Sequence, residues 1–268
     1  MSRLRRILTG AVLAAVVGVV ALTRAHTRAR DVPLSPILGD GHIGSDWADR
    51  RDLRGESVAG EMDSLDAYES ESFDPDRVHP DVRALYEQTS EFEMRVDATW
   101  YRPFRLGARV ASRLTSRVEQ LNLPGPGADP KRVESDLATL AEPAASRGPR
   151  DDPRLWVRAE PDGTGVFTAI YASYEPENDR RVDIAVPLPS ANLSTVLAVA
   201  NDDAGIELTT DCPDGGLYLT TPLGAVLLPA DQWFRVQPSP GETAAVARQY
   251  IRLCGVPLVT IRYDVFRR

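Results

Sequence analysis

The sequence predicts a mainly β fold, an antiparallel barrel or sandwich with two helices near its start, preceded by one N-terminal transmembrane or signal-anchor helix. Three observations carry that expectation. Ile7 to Thr23 form an uncharged run, Phe92–Trp100 and the C-terminal residues alternate strictly between apolar and polar, and most of the second half is short β-type segments separated by turn clusters.

The uncharged run is bracketed by Arg3, Arg5 and Arg6 on one side and Arg24, Arg28 and Arg30 on the other. At about 1.5 Å rise per residue it reaches roughly 25 Å as a helix, the short end of what a bilayer core of about 30 Å accepts. A cleaved signal peptide has an apolar core of about 7–15 residues followed by small residues. This run is longer and passes directly into Arg24, so a retained anchor is favoured over a cleaved signal. Three arginines on each flank leave the positive-inside rule tied. A short amino-terminal tail stays inside most simply, and a long following domain crosses largely regardless of charge. The expectation is therefore a single-pass protein of the cell membrane with an extracytoplasmic body. Residues 1–30 form the basic-flanked anchor, 31–78 an acidic linker and 79–268 the β-rich domain.

The first thirty residues hold six arginines and no acid; taking those six from the 31 basic residues leaves 25 against 39 acids, a net charge of −14 for the body. That balance argues against a nucleic-acid partner, which requires clustered positive charge. Asp40–Pro80 contains twelve acids, four arginines and few branched apolar residues, a composition that does not offset its own ordering entropy. It reads as a linker, disordered or draped on the domain. Its carboxylates lack the spaced-ligand pattern of a calcium loop.

Order begins at His79, where Pro80 and Asp81 signal a helix start and Val82, Leu85, Tyr86 and Thr89 recur at helical spacing. Phe92, Met94, Val96, Ala98 and Trp100 then alternate with polar residues as a half-buried strand. A second helix, at about 104–121, carries Val110, Ala111, Leu114, Val118 and Leu121 on one face and ends at Leu-Pro-Gly-Pro-Gly. Residues 128–153 read as a long connection with at most a weak helix around Val133, Leu137 and Leu140. Pro161-Asp162-Gly163-Thr164 is a hairpin turn, and further strands are expected at 181–188, 193–201, 206–210, 217–221, 225–228 and 232–237. Gly255-Val256-Pro257 is read as turning a final hairpin into Val259–Val265.

Material for chemistry is scarce. His26, His42 and His79 are the only histidines and all precede the β-rich region. No CxxC, GxSxG, Walker loop or GxGxxG is present, so no cofactor and no metal site is expected. Cys212 and Cys254 permit one disulfide, with two free cysteines the competing reading. The segment that departs from the acidic background is the second helix: Arg102, Arg105, Arg109, Arg113 and Arg117 recur almost every fourth residue, with no acid from Ala98 to Val118. Such a stripe suits an anionic headgroup layer; the competing readings are a solvated face or pairing with the acidic linker.

Together these features predict a membrane-anchored, non-catalytic domain that binds a lipid or other amphiphile at the membrane surface. One rival is an envelope scaffold or protein-interaction module with no ligand cavity. The other is a hydrolase using two converging acids.

Overall fold

The computed structural model describes residues 25–268 apart from Pro143, 146–149 and Asn178. The expected anchor, Ile7–Thr23, lies outside the described residues; among those described, no helix is long and apolar enough to cross a membrane. Two helices of eight residues or more, α1 (Pro80–Glu87) and α2 (Arg105–Val118), accompany shorter helical turns, one of them at Trp47–Arg50, and thirteen strands in the described residues. The strands are β1 (Arg54–Ser57), β2 (Phe92–Trp100), β3 (Lys131–Leu140), β4 (Asp151–Ala159), β5 (Gly165–Tyr174), β6 (Arg181–Leu188) and β7 (Ala191–Asp202), then β8 (Gly205–Thr209), β9 (Gly216–Thr221), β10 (Gly224–Leu227), β11 (Ala230–Pro238), β12 (Ala245–Leu253) and β13 (Val256–Arg267).

All pairings between these strands are antiparallel. Ten strands close a barrel in the order β7-β6-β5-β4-β3-β2-β13-β12-β11-β8, with β8 returning to β7. Closure removes the exposed edges that an open sheet of this size would present. This settles the choice between barrel and sandwich. Strands β9 and β10 extend the sheet outward from β7, and β1 adds to β3.

Alternation sets which side chains point inward. Phe92, Met94 and Val96 of β2 and Val259, Ile261, Tyr263 and Val265 of β13 are buried in the main core. Strands β4 to β6 lack clean alternation because both of their faces are covered. Trp156, Tyr171 and Ile184 enter the interior, while Leu155, Val157, Ile170 and Ala185 lie in a second core outside the barrel.

Of the two readings of 31–78, disordered or draped on the domain, that second core removes the first. Ile37, Ile43, Trp47, Ala48 and Leu53 cover the outer face of β4–β6, and Met62, Leu65, Tyr68 and Phe73 join the interior core. Apolar residues spaced singly through an acidic stretch suffice because the barrel wall supplies the remaining surface. The acids are absorbed locally: Asp74 caps a 3-10 turn, Asp66 pairs with Arg83 and Asp63 with Arg154.

The connection expected at 128–153 is corrected. Residues 131–140 form β3, whose Val133 and Leu137 point into the barrel, a period of two that the intervening Lys, Arg and Glu residues obscure. Elsewhere the elements fall close to expectation. The Asp162-Gly163 turn joins β4 to β5 with Gly163 at φ +89°, and Cys254-Gly255 joins β12 to β13. Cys212 and Cys254 are both free thiols, so no disulfide joins them.

Candidate functional site

The barrel has two distinct ends. Strand β2 runs from Phe92 at one end to Trp100 at the other, and the register Trp100↔Val259 fixes the direction of its neighbour. At the Phe92 end, α1 and the 3-10 turns of 65–77 close the barrel. His79 N donates to Ala204 O, and the Asn201 side chain bonds both the Asp74 N–H and its carbonyl. At the start of α1, His79 Nδ1 accepts from Asp81 N at 3.2 Å.

Helix α2 lies at the Trp100 end. Its left-handed C-cap at Glu119 turns the chain so that Gln120 is buried between β5 and β6, donating to the carbonyls of Thr168 and Pro187 and accepting from Thr168 N. Asn122 N then bonds Val166 O, and Trp100 Nε1 bonds Pro124 O at 2.9 Å.

Between the two ends lies a cavity of about 360 Å³, within the roughly 300–1,000 Å³ of small-molecule sites. Its wall is largely aliphatic and aromatic, including Met94, Val96, Phe167, Ile184, Phe234 and Ile261. Trp100, Thr115, Leu121 and Leu258 line it near α2. The polar lining is sparse and concentrated. Arg158 projects inward from β4 two residues after Trp156, and its guanidinium carbon stands 3.8 Å from the Trp156 ring centroid and 5.3 Å from that of Tyr263. Tyr263 Oη donates to Gln249 Oε1 at 3.0 Å. Two donors here have no hydrogen-bond partner, Arg158 Nε and Trp156 Nε1.

Glu61 occupies the Phe92 end of the cavity, held by its backbone: its N–H donates to Tyr86 O at 2.9 Å and to Thr89 Oγ1 at 3.2 Å. Burial pushes its carboxyl up to about 7, against the opposing pull of the Arg158 charge and a hydrogen bond from Tyr171. The phenols of Tyr86 and Tyr171 are held well above their ordinary range by the same burial and by the Glu61 charge, so they remain neutral donors. Glu61 is the one acid among the described residues lining this cavity. The second, converging carboxylate that a two-acid hydrolase requires does not line it. No group of three or more His, Cys, Asp or Glu that could hold a metal occurs among the described residues.

The arginines singled out in the sequence are elsewhere. Arg102, Arg105, Arg109, Arg113 and Arg117 are all exposed on or just before α2 and do not line the cavity. None of them forms an ion pair among the described residues; Arg50, Arg51, Arg54, Arg83 and Arg154 are the ones that pair with acids of segment 31–78. Much of the apolar face of α2 is turned away from the barrel. Leu106, Val110 and Leu114 are 72%, 62% and 57% exposed, and the helix turns its small side, Ala108, Ser112 and Thr115, towards the barrel. The other exposed large apolar residues, Tyr101, Val256 and Leu223, stand at the same end of the barrel. The described chain also starts there, with His26 Nδ1 donating to Ala225 O at 2.9 Å beside the β9–β10 turn.

Sequence reasoning missed the polar groups of the cavity. Trp156 and Arg158 share a strand face, but Leu155 and Val157 are equally apolar in pattern, so inward and outward faces were indistinguishable. Glu61 is one of twelve acids in its stretch and nothing in its neighbours marks it.

Fold and cavity define a class: a closed ten-stranded antiparallel barrel with a few helices and an apolar interior chamber. A protein of Bacillus subtilis (strain 168) described as "Uncharacterized membrane protein YndJ" is 24% identical over 237 residues, covering 86% of this chain. The chain spans 42% of that relative's length. No protein-family model and no solved structure matches the chain.

Proposed function

We propose that this is a membrane-associated, non-catalytic barrel that takes an amphiphile into its interior from the membrane surface. The single observation that carries the reading is the cavity of about 360 Å³ inside a closed barrel, lined by apolar side chains with a few polar ones among them. A scaffold without a ligand has no use for such a chamber, since an empty apolar cavity forfeits packing contacts.

Membrane association is supported from three sides. The Bacillus subtilis relative is described as a membrane protein. The uncharged run Ile7–Thr23 precedes the described chain, which starts at the end of the barrel displaying Tyr101, Leu106, Val110, Leu114, Leu223 and Val256. The five exposed arginines on or just before α2, without ion pairs among the described residues, flank this apolar rim, and each contributes attraction of about 1 kcal/mol near an anionic surface. In this reading the chain is anchored once, its body lies outside the cytoplasm, and the α2 end rests on the headgroups.

The test is lipid analysis of full-length protein purified from membranes, combined with protease access to the body in intact cells. One amphiphile per chain and cleavage from outside support the reading. A body shielded from external protease overturns its topology, and a cavity that stays empty after exposure to lipid vesicles overturns the ligand role.

A further inference from the structure

We infer that the amphiphile is a single-chain acid whose oxyanion head is held inside the barrel by Arg158 and Trp156; this rests on the ligand-binding reading above and names its chemistry. The argument starts from what Arg158 lacks. Its guanidinium faces are covered by the rings of Trp156, Tyr263 and Phe167, at 3.8, 5.3 and 5.9 Å to the centroids. Aromatic faces stabilise the cation without accepting from N–H groups lying in its plane; of the five donors a guanidinium carries, one is met by the Tyr263 hydroxyl. Arg150 and Arg154, which precede it along the chain, pair with Asp183 and Asp63, whereas Arg158 forms no ion pair within 4.0 Å among the described residues.

Arg158 Nε is buried without a partner, and so is the indole Nε1 of Trp156 on the same strand face. An unsatisfied buried donor costs about 1–3 kcal/mol, more when charged, so two of them on side chains that line one apolar chamber mark a place for an acceptor. A negatively charged acceptor fits best, because it meets both donors and the cation together. Of the rest of the lining, Glu61 feels the Arg158 charge but burial pushes its carboxyl towards the neutral form, while Gln249 already accepts from Tyr263 and its Nε2 donates to Gln232 Oε1.

The tail follows from the walls. Ile184, Leu208, Phe234, Ile251, Leu258 and Ile261 offer aliphatic and aromatic surface without donors, and the volume is at the lower end for a ligand of drug size, which favours one alkyl chain over two. Glu61 lies at the Phe92 end and Trp100 and Leu258 near α2, so a head at Arg158 leaves its tail among apolar side chains.

The experiment places the full chain in zwitterionic lipid nanodiscs and measures displacement of a fluorescent anthroyloxy-stearate probe by oleate, methyl oleate and oleyl alcohol. Oleate is expected to bind about tenfold or more tighter than its methyl ester. Arg158→Gln is expected to remove that preference while leaving methyl oleate within about threefold. Trp156→Phe, which keeps a ring under the guanidinium but deletes the indole donor, weakens oleate by a smaller factor.

If oleate, ester and alcohol bind alike to the native chain, the acid-head inference fails and the amphiphile reading survives. If none of the three competes with the probe or the probe itself is not bound, both fail. The comparison of ligands on the native chain decides the matter even where Arg158→Gln does not fold.

Discussion

Glu61 is the residue whose chemistry is most altered by its position. Its carboxyl ordinarily titrates near 4.5 and burial raises it to about 7, so the folded state holds a proton that the unfolded chain has already released across that interval. Stability is therefore full below about 4.5, falls as pH rises through 7 and is flat beyond, a loss on the order of 3 kcal/mol. Glu61→Gln should reduce the fall in stability between pH 5 and pH 8, leaving the smaller part due to buried Asp183, raised to about 6, and should raise the denaturation midpoint above pH 7; urea unfolding at the two pH values measures both.

Gly60 sets the geometry of that carboxyl. A Cβ there would lie 2.4 Å from the Glu87 carbonyl, so Gly60→Ala should displace Glu61 as well as loosen the end of α1. Outside the barrel, Arg150 and Asp183 form an ion pair at 2.9 Å with both side chains buried. Asp183→Ala leaves an uncompensated guanidinium and should cost about 3–5 kcal/mol in chemical denaturation. None of these three roles was legible beforehand, because each depends on what lies across the fold rather than along the chain.

At the scale of elements, α2 is a helix whose first-turn charges oppose its dipole, while Arg117 in the last turn suits it. Arg105 and Arg109 occupy its first turns, no acid stands there, and no side chain caps its start. A 14-residue helix with little buried surface is marginal by itself, so an external anionic surface would add what the barrel does not supply. Replacing Leu106, Val110 and Leu114 together by Ser should abolish binding of the domain to anionic vesicles while leaving its melting temperature within about 2 °C, since the three side chains touch little else.

The Arg stripe and helix bounds were visible in the sequence as spacing. Which side of the helix faces the barrel was not, since Ala108, Ser112 and Thr115 form a weaker pattern than the Leu106–Leu114 row that faces solvent. Strand β3 was hidden for the complementary reason: Val133 and Leu137 supply too few apolar positions among its charges.

For the whole molecule, the strands of the second half and the terminal hairpin were readable from alternation and turns, while closure was not. It depends on β8 pairing with both β7 and β11, a relation between segments that no local pattern encodes. The acidic segment 31–78 likewise becomes structure only because β4–β6 offer an apolar outer wall. Trp47, fully buried against that wall, is the sharpest probe of this: Trp47→Ala should destabilise the protein by about 3–5 kcal/mol, where a disordered spacer would show no change.

The interior chamber is the feature on which the functional account stands, and its occupancy can be measured by calorimetric titration of the full chain with oleate in nanodiscs, native against Ala247→Phe, a substitution on the cavity wall. The account predicts one oleate per native chain with a negative heat-capacity change, and loss of that site in the filled variant. Binding that is absent, or that proceeds equally well once the chamber is filled, would contradict it.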